Sequence, residues 1–353
     1  MISNNITNIF FSDCTVTDIV EYGNGHINNT FLISTSKGRY ILQQVNNKVF
    51  NIPNLVDNYE YLIKTACKQE VSGKLFPQFI NINHDSTHYI DIDGTAWRLN
   101  EFIENSSAYA ISPNIKITEE AGRAMGKFQL FLTKLNADIF KDTIPDFHNP
   151  LQRLNEFEEA LKITSKNNRK TADNEIKFAL NNRNIALNIS SLLESNTLPV
   201  RITHNDTKLD NLLFDTLNNH VYVIDLDTVM KGSILFDFGD MVRSITSLAK
   251  EDEKDLNKIY FHLDHFEALS RGYFSEIKSI ITPTEKYNIL AGSLSIIYVQ
   301  GLRFLTDYLT DNKYYKINYA SHNLVRARTQ FKLLEAILMN KEKAENIIQA
   351  SLG

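Results

Sequence analysis

The chain has 353 residues, 43% apolar and 22% charged, an ordinary balance for a water-soluble protein of one large or two modest domains. A net charge of −5 and a pI near 6.0 give no basic patch for nucleic acid or for an anionic membrane. Cys14 and Cys67 have no metal or redox spacing, which fits a reduced cytoplasmic compartment, and the first residues lack the pattern of a secretory signal.

In chain order, the first hundred residues read mainly as strands. TVTDIVEYG, TFLIST, RYILQQV, QFINI and HYIDI alternate or run apolar between Gly, Asn and Asp, and WRLNEF closes the series. One helix interrupts them at 53–69, opened by Pro53, with Leu55, Tyr59, Leu62, Ile63 and Ala66 on one side. The polar stretch IENSSAY then marks a domain junction, giving 1–103 and 104–353.

Beyond it the period becomes helical. Residues 118–136 carry Ala121, Met125, Phe128, Leu132 and Leu135 at helical spacing, with Glu119 and Glu120 placed in a first turn. Further helices are predicted at 150–164, 172–195, 253–277, 284–311 and from 321. The only strand-like interlude is 212–226. The most apolar window, 288–305, is broken by Asn288, Ser293, Ser295, Gln300 and Arg303 and reads as a buried core helix rather than a membrane span. No repeat or low-complexity linker is present.

The interlude carries the chemistry. A turn near Asn218 makes LLFD and YVID antiparallel, and a register symmetric about it sets Asn211 across from Asp225, with Asp206 just ahead of the first strand. A carboxamide and the carboxylates of Asp206, Asp225 and Asp227 then gather at one end of a hairpin, hard oxygen donors of the kind that suit Mg²⁺. His204, Asp206 and Asn211 reproduce H-x-D-x-x-x-x-N, the protein-kinase catalytic loop, whose Asp accepts a hydroxyl proton and whose Asn holds a metal. Lys208 stands where it can meet the charge of a transferring phosphoryl group, and Asp225 stands where D-F-G has its metal-binding Asp. A simpler account has Asp206 and Asp210 capping a turn and Asp225 and Asp227 ending a strand; Asp210 is left to that account. His204 reads as a structural hydrogen-bonder. The expected fold is α+β: a bilobal protein-kinase-like plan with a small antiparallel β lobe holding one helix, then a larger α-helical lobe with an embedded β-hairpin. Upstream, Gly23, Asn24 and Gly25 lie between two strands and could let backbone N–H groups approach phosphates, though an ordinary hairpin turn explains them too.

Nearly the whole chain resembles the aminoglycoside phosphotransferase/choline kinase superfamily, and within it the N-acetylhexosamine 1-kinase branch. The resemblance rests on YGNGHINNTF, RYILQQVN, THNDTKLDNLLFD, VIDLDTVMKGSILFDFGDMVRS, GLRFLTDYLTDNKYYKI and HNLVRARTQ. It implies transfer from ATP to the anomeric hydroxyl of GlcNAc or GalNAc. Asp206 is then the base and Asn211 and Asp225 hold Mg²⁺. His26, Arg303 and Asp206 contact the sugar, Tyr314 and Tyr315 line its pocket, and backbone near Glu101 and Ile103 meets adenine. One departure stands out: Gln43 occupies the place of the usual phosphate-pairing strand Lys, so charge compensation falls to Lys208 and the metal.

The presumed acceptor region, 296–328, mixes Arg303, Arg326 and Arg328 with Asp307, Tyr308, Tyr314, Tyr315 and His322, which suits a neutral polyhydroxylated ligand better than a cation. Arg303 and Asp307 also fit an i,i+4 surface pair, and Tyr314 and Tyr315 fit a core. Asp237, Asp240 and Arg243 read as helix caps and an internal ion pair. A nucleotide-binding pseudokinase, and a kinase for choline, homoserine or an aminoglycoside, remain open. The expected enzyme is a monomer or weak homodimer, binding ATP and a small sugar but neither nucleic acid nor membrane.

Overall fold

In the structure, a computed structural model that describes residues 4–23, 27–82 and 86–353, the period-two alternation of the first hundred residues becomes an antiparallel sheet. A short helix α1 (Asn4–Phe10) precedes strands β1 (Val16–Glu21), β2 (Asn29–Thr35) and β3 (Gly38–Gln44). Helix α2 (Ile52–Lys68) follows, then β4 (Phe79–Ile80), β5 (Tyr89–Ile90), β6 (Ala96–Glu101) and the two-residue β7 (Ser106–Ser107). The strand order is β1-β2-β3-β6-β4, with β5 also paired to β6. In that register Leu42 faces Leu99 and Gln43 faces Arg98. Leu42 and Leu99 bury with Ile33, Trp97, Ile6 and Phe11 in one apolar cluster. Helix α1 was not expected. At seven residues it is too short for periodicity to reveal, and Ile6 anchors it to that cluster.

Helix α2 starts where its signals put it. The Asn51 side chain accepts the Asn54 N–H at 3.1 Å, Pro53 sits in the first turn, and the expected face of Leu55, Tyr59, Leu62, Ile63 and Ala66 is buried.

The helical region begins with α3 (Ile115–Leu132). Asn114 caps it, so Glu119 and Glu120 lie beyond the first turn rather than in it, and Glu119 pairs instead with Arg123 and Arg271. Next come α4 (Pro150–Ile163), α5 (Lys166–Thr171), α6 (Asp173–Asn181) and α7 (Asn184–Glu194). The single helix predicted over 172–195 is thus two, because the chain leaves helical geometry at Asn182. Strand β8 (Arg201–Thr203) leads to β9 (Leu212–Asp215) and β10 (His220–Val223), the expected hairpin, and β11 (Met230–Gly232) pairs with β8. The interlude is therefore not the only strand region after residue 104.

Helices α8 (Ile234–Ile245), α9 (Leu263–Ile277), α10 (Pro283–Leu309), α11 (His322–Met339) and α12 (Lys341–Leu352) complete the chain. The helix predicted from 253 starts ten residues later, since Ile259 and Phe261 are buried in non-helical backbone. Helix α9 lies against α3 at backbone distance: a Cβ on Gly272 would sit 2.1 Å from the Glu119 carbonyl oxygen, so only glycine fits. Helix α10 is long and apolar enough to cross a membrane by length and composition, and 78% of its most apolar window is buried inside the protein.

Two compact units interleave in sequence. The first comprises Met1–Ser107, Leu135–Pro145 and Leu213–Met230; the second comprises Ala108–Lys134, Asp146–Leu212 and Lys231–Gly353. The first holds the sheet, α2 and the β9–β10 hairpin, and the second holds the helices from α3 onward with β8.

Candidate active site

In the second unit, β8 runs into a loop that other residues hold open. Asn205 adopts φ 65°, a left-handed geometry that Asn tolerates well. The N–H groups of His204 and Asn205 donate to the two carboxylate oxygens of Asp237, each at 2.8 Å, and the Thr207 hydroxyl donates to the Asp237 carbonyl at 2.6 Å. Thr203 Oγ1 donates to Asn205 Oδ1 at 3.0 Å. Gly232 passes so close that a Cβ there would lie 2.2 Å from Thr203 Oγ1 and 2.4 Å from Asn205 Oδ1. Burial pushes the Asp237 carboxyl up to about 7, against the two N–H bonds it accepts.

This scaffold presents Asp206. The Asn211 Nδ2 donates to the Asp206 carbonyl at 2.7 Å and to its Oδ2 at 2.9 Å, and Lys208 Nζ lies 3.5 Å from the same Oδ2. Burial raises the Asp206 carboxyl, but Lys208, His204, the Asn211 bond and Arg243 outweigh it and hold the group below the ordinary carboxylate value. His204 is fully buried and its Nδ1 accepts the Asp206 N–H at 3.2 Å, the structural role expected of it. Asn211 ends a 3-10 turn (Leu209–Asn211) just before β9. Its NH₂ is directed at Asp206.

Also in the second unit, Arg303 lies among aromatic rings. Its guanidinium carbon is 5.0 Å from the Phe147 ring centroid, 5.6 Å from Tyr315 and 5.9 Å from Tyr314, and it is near enough to Asp206 to feel that charge. Asp307 is not a surface partner of Arg303. It is 4% exposed and accepts the Tyr314 N–H at 2.8 Å, the Tyr315 N–H at 2.9 Å and the Asn323 Nδ2 at 2.8 Å. Tyr314 is largely exposed and Tyr315 half-buried, so the Tyr pair is not core. Arg328 pairs with Glu175, and Arg326 with Glu251. Arg243 pairs with Asp240 at 2.7 Å as expected, whereas Ser233 rather than Asp237 caps α8.

In the first unit, Asp225 follows β10 at φ 60° and opens a 3-10 turn (Leu226–Thr228). Asn211 and Asp225 flank the hairpin strands rather than lying within them. Asp227 differs in kind from Asp225. Its Oδ1 accepts from Arg98 and, at 2.8 Å, from the Tyr59 hydroxyl, and its Oδ2 accepts from Asn28 Nδ2 at 2.5 Å. Both of its oxygens thus accept hydrogen bonds from side chains of the first unit. Gln43 Nε2 donates to Thr30 Oγ1 at 3.2 Å, and Gln43 Oε1 accepts from Arg98 Nε at 2.9 Å. The Glu101 N–H donates to the Gln78 carbonyl at 2.9 Å, and the Ile103 carbonyl accepts from Ser106 Oγ at 2.7 Å. Gly23 has φ 79°, while Asn24, Gly25 and His26 lie outside the described residues. Among the described residues no group of three or more His, Cys, Asp or Glu gathers as a protein-only metal cage. A Mg²⁺ held by one or two protein oxygens and substrate phosphates needs none.

Sequence reasoning did not single out His148, Phe147 or Arg98. Tyr59 was read as core, and it is buried. Arg98 carried one usable signal, a charge inside an otherwise buried strand. His148 Nε2 donates to the Asn205 carbonyl at 2.6 Å. Burial and then Arg303 push its ring down to about 4, against the Asn205 bond, Asp240 and Asp206, which raise it. Unfolding returns the ring to its ordinary 6.5, so the unfolded chain binds the extra proton between about 4 and 6.5. The stabilising contribution of a neutral His148 is therefore complete above 6.5 and lost as pH falls toward 4. Wild type should lose more stability than His148→Gln between pH 7.5 and 4.5, by on the order of 3 kcal/mol. Urea melts across that range check it; parallel curves for the two proteins would contradict it.

The antiparallel sheet and hairpin, the mostly helical second unit and the H-x-D-x-x-x-x-N loop define the α+β protein-kinase-like fold. The chain belongs to the phosphotransferase enzyme family (APH), whose sequence profile matches residues 18–272. Among solved structures it is similar to a microcompartment-associated aminopropanol kinase (TM-score 0.65, 15% identity, 96% of this chain and 97% of that one). It is also similar to the amicoumacin kinase hAmiN in complex with AMP-PNP, Ca²⁺ and Ami (0.59, 11%, 93% and 91%). A third is choline kinase LicA from Streptococcus pneumoniae (0.58, 12%, 94% and 98%).

Proposed function

We propose that the protein is a kinase that transfers the γ-phosphoryl group of Mg²⁺-ATP to the anomeric hydroxyl of an N-acetylhexosamine, GlcNAc or GalNAc. Asp206 takes the hydroxyl proton; its carboxylate stays ionised well below neutral pH. Lys208 meets charge on the transferring group, and Asn211 and Asp225 supply the hard oxygens that fit the metal. Bound magnesium neutralises charge on the phosphate oxygens. Gly23, Asn24, Gly25, Gln43, Glu101 and Ile103 are assigned to the nucleotide, and His26, Asp206, Arg303, Tyr314 and Tyr315 to the sugar. The reading includes lobes at 1–103 and 104–353 and a cytoplasmic monomer or weak homodimer without nucleic-acid or membrane partners.

The observation that carries the acceptor class is Arg303 among Phe147, Tyr314 and Tyr315. Aromatic faces that could cage an ammonium already face a guanidinium, and that fixed cation repels a second one. A neutral sugar loses nothing there and gains a donor for its oxygens. The competing reading, a cationic acceptor, draws on neighbours described as aminopropanol and choline kinases. ADP release measured with GlcNAc, GalNAc, choline, homoserine and an aminoglycoside separates the two. Turnover with the hexosamines alone is expected; a preference for choline would overturn the sugar assignment, and no acceptor-dependent turnover would favour a pseudokinase.

A further inference from the structure

Protein kinases place a Lys on the third strand and pair it with a Glu of the following helix. Here that strand position is Gln43, a neutral amide. The ladder shows where the cation has gone. Arg98 of β6 is the cross-strand partner of Gln43, on the same face, and its Nε donates to Gln43 Oε1 at 2.9 Å. Its guanidinium bonds Asp227 and lies over the Tyr59 ring, 4.8 Å from the centroid. Helix α2 contributes Tyr59, whose hydroxyl donates to the same Asp227 oxygen. Both charged side chains are sealed from water, Arg98 at 1% and Asp227 at 0% exposure.

A guanidinium committed to a buried carboxylate forms a neutral unit and does not offset phosphate charge. Its effect is on the backbone. Asp227 sits in the 3-10 turn that begins at the left-handed Asp225. Arg98, Tyr59 and Asn28 hold its two oxygens, and the Thr143 hydroxyl donates to its carbonyl at 2.8 Å. A turn fixed at this residue by four partners has little freedom two residues earlier. Asn28 also accepts the Asn46 N–H at 3.0 Å, which ties the segment leading into β2 to the same point.

We propose that Arg98 and Asp227 are a positioning pair: the cation missing from β3 is carried by β6, and its pairing with Asp227 sets the turn that presents Asp225 to the metal. This rests on the reading of Asp225 as a metal ligand. The pair acts by geometry, so its loss weakens metal binding more than it weakens nucleotide binding.

Removing one partner strands a buried charge and could prevent folding, so the primary test removes both. In Arg98→Met/Asp227→Asn, Mn²⁺ binding in the presence of ADP, followed by electron paramagnetic resonance, is expected to weaken at least 10-fold. ADP binding without metal is expected to stay within twofold. Unchanged Mn²⁺ affinity in the folded double variant overturns the pairing role. If that variant does not fold, Arg98→Lys decides: keeping the charge but losing the planar fork should weaken Mn²⁺ several-fold, and wild-type affinity overturns the proposal. Asp225→Asn is measured alongside. Its own failure to weaken Mn²⁺ would defeat the metal-ligand reading and the pairing role together, whereas weakened binding there with an unaffected double variant would defeat the pairing role alone.

Discussion

Asp206→Asn should lower hexosamine-dependent ADP release by 10²- to 10⁴-fold, the range attributed to a positioned general base, while leaving the fold intact. The substitution preserves shape. The new amide oxygen can still accept from Asn211 Nδ2, 2.9 Å from the present Oδ2, and can face Lys208. What disappears is the carboxylate that burial opposes and that Lys208, His204 and the Asn211 bond keep ionised. A melting temperature within a few degrees of wild type, beside collapsed turnover, is the expected pair of results. Turnover reduced less than tenfold would remove Asp206 from the base role.

The second large effect concerns Asp307. Its buried carboxylate gathers two backbone N–H groups from Tyr314 and Tyr315 and the amide of Asn323. Alanine leaves all three donors without that acceptor. Hydrogen bonds to a charged group contribute about 1.5–3 kcal/mol each, but the 311–321 segment can open to water before the full sum is reached. A loss of about 2–4 kcal/mol follows, measurable by urea denaturation. The kinetic signature should be sharper: KM for the hexosamine rises at least tenfold as the two rings leave Arg303, while KM for ATP stays within twofold. Equal changes in both constants would mean that Asp307 supports the fold generally rather than the acceptor side.

Much of this was legible in the sequence because its signals are local. Pro53 opened α2, the alternation in RYILQQV and WRLNEF made β3 and β6, and the eight residues from His204 to Asn211 gave the H-x-D-x-x-x-x-N spacing of the candidate loop. The illegible parts depend on partners distant in sequence. Nothing in LFDFGD says that Asp237 reaches back to hold the His204 and Asn205 N–H groups, since that contact spans more than thirty residues. Periodicity read 172–195 as one helix because the break at Asn182 leaves the apolar positions in phase. In IDLD two identical side chains two residues apart proved unlike, Asp227 turned inward to Arg98 and Tyr59. Only the folded chain separates them.

The Arg98–Asp227 pair also constrains how this protein can change over generations. Replacing either residue alone by an uncharged one leaves an ion sealed from water, a loss of about 3–5 kcal/mol out of the roughly 5–15 kcal/mol that keeps a typical domain folded. A single step to an uncharged residue is therefore disfavoured in both directions. Relatives are expected to keep both residues or to have exchanged both, with Gln43 and Tyr59 following, and a lysine at position 43 should accompany the disappearance of the arginine at 98. Drift at this turn then proceeds in coupled steps, and a survey of close homologues in which the four positions vary independently would contradict it.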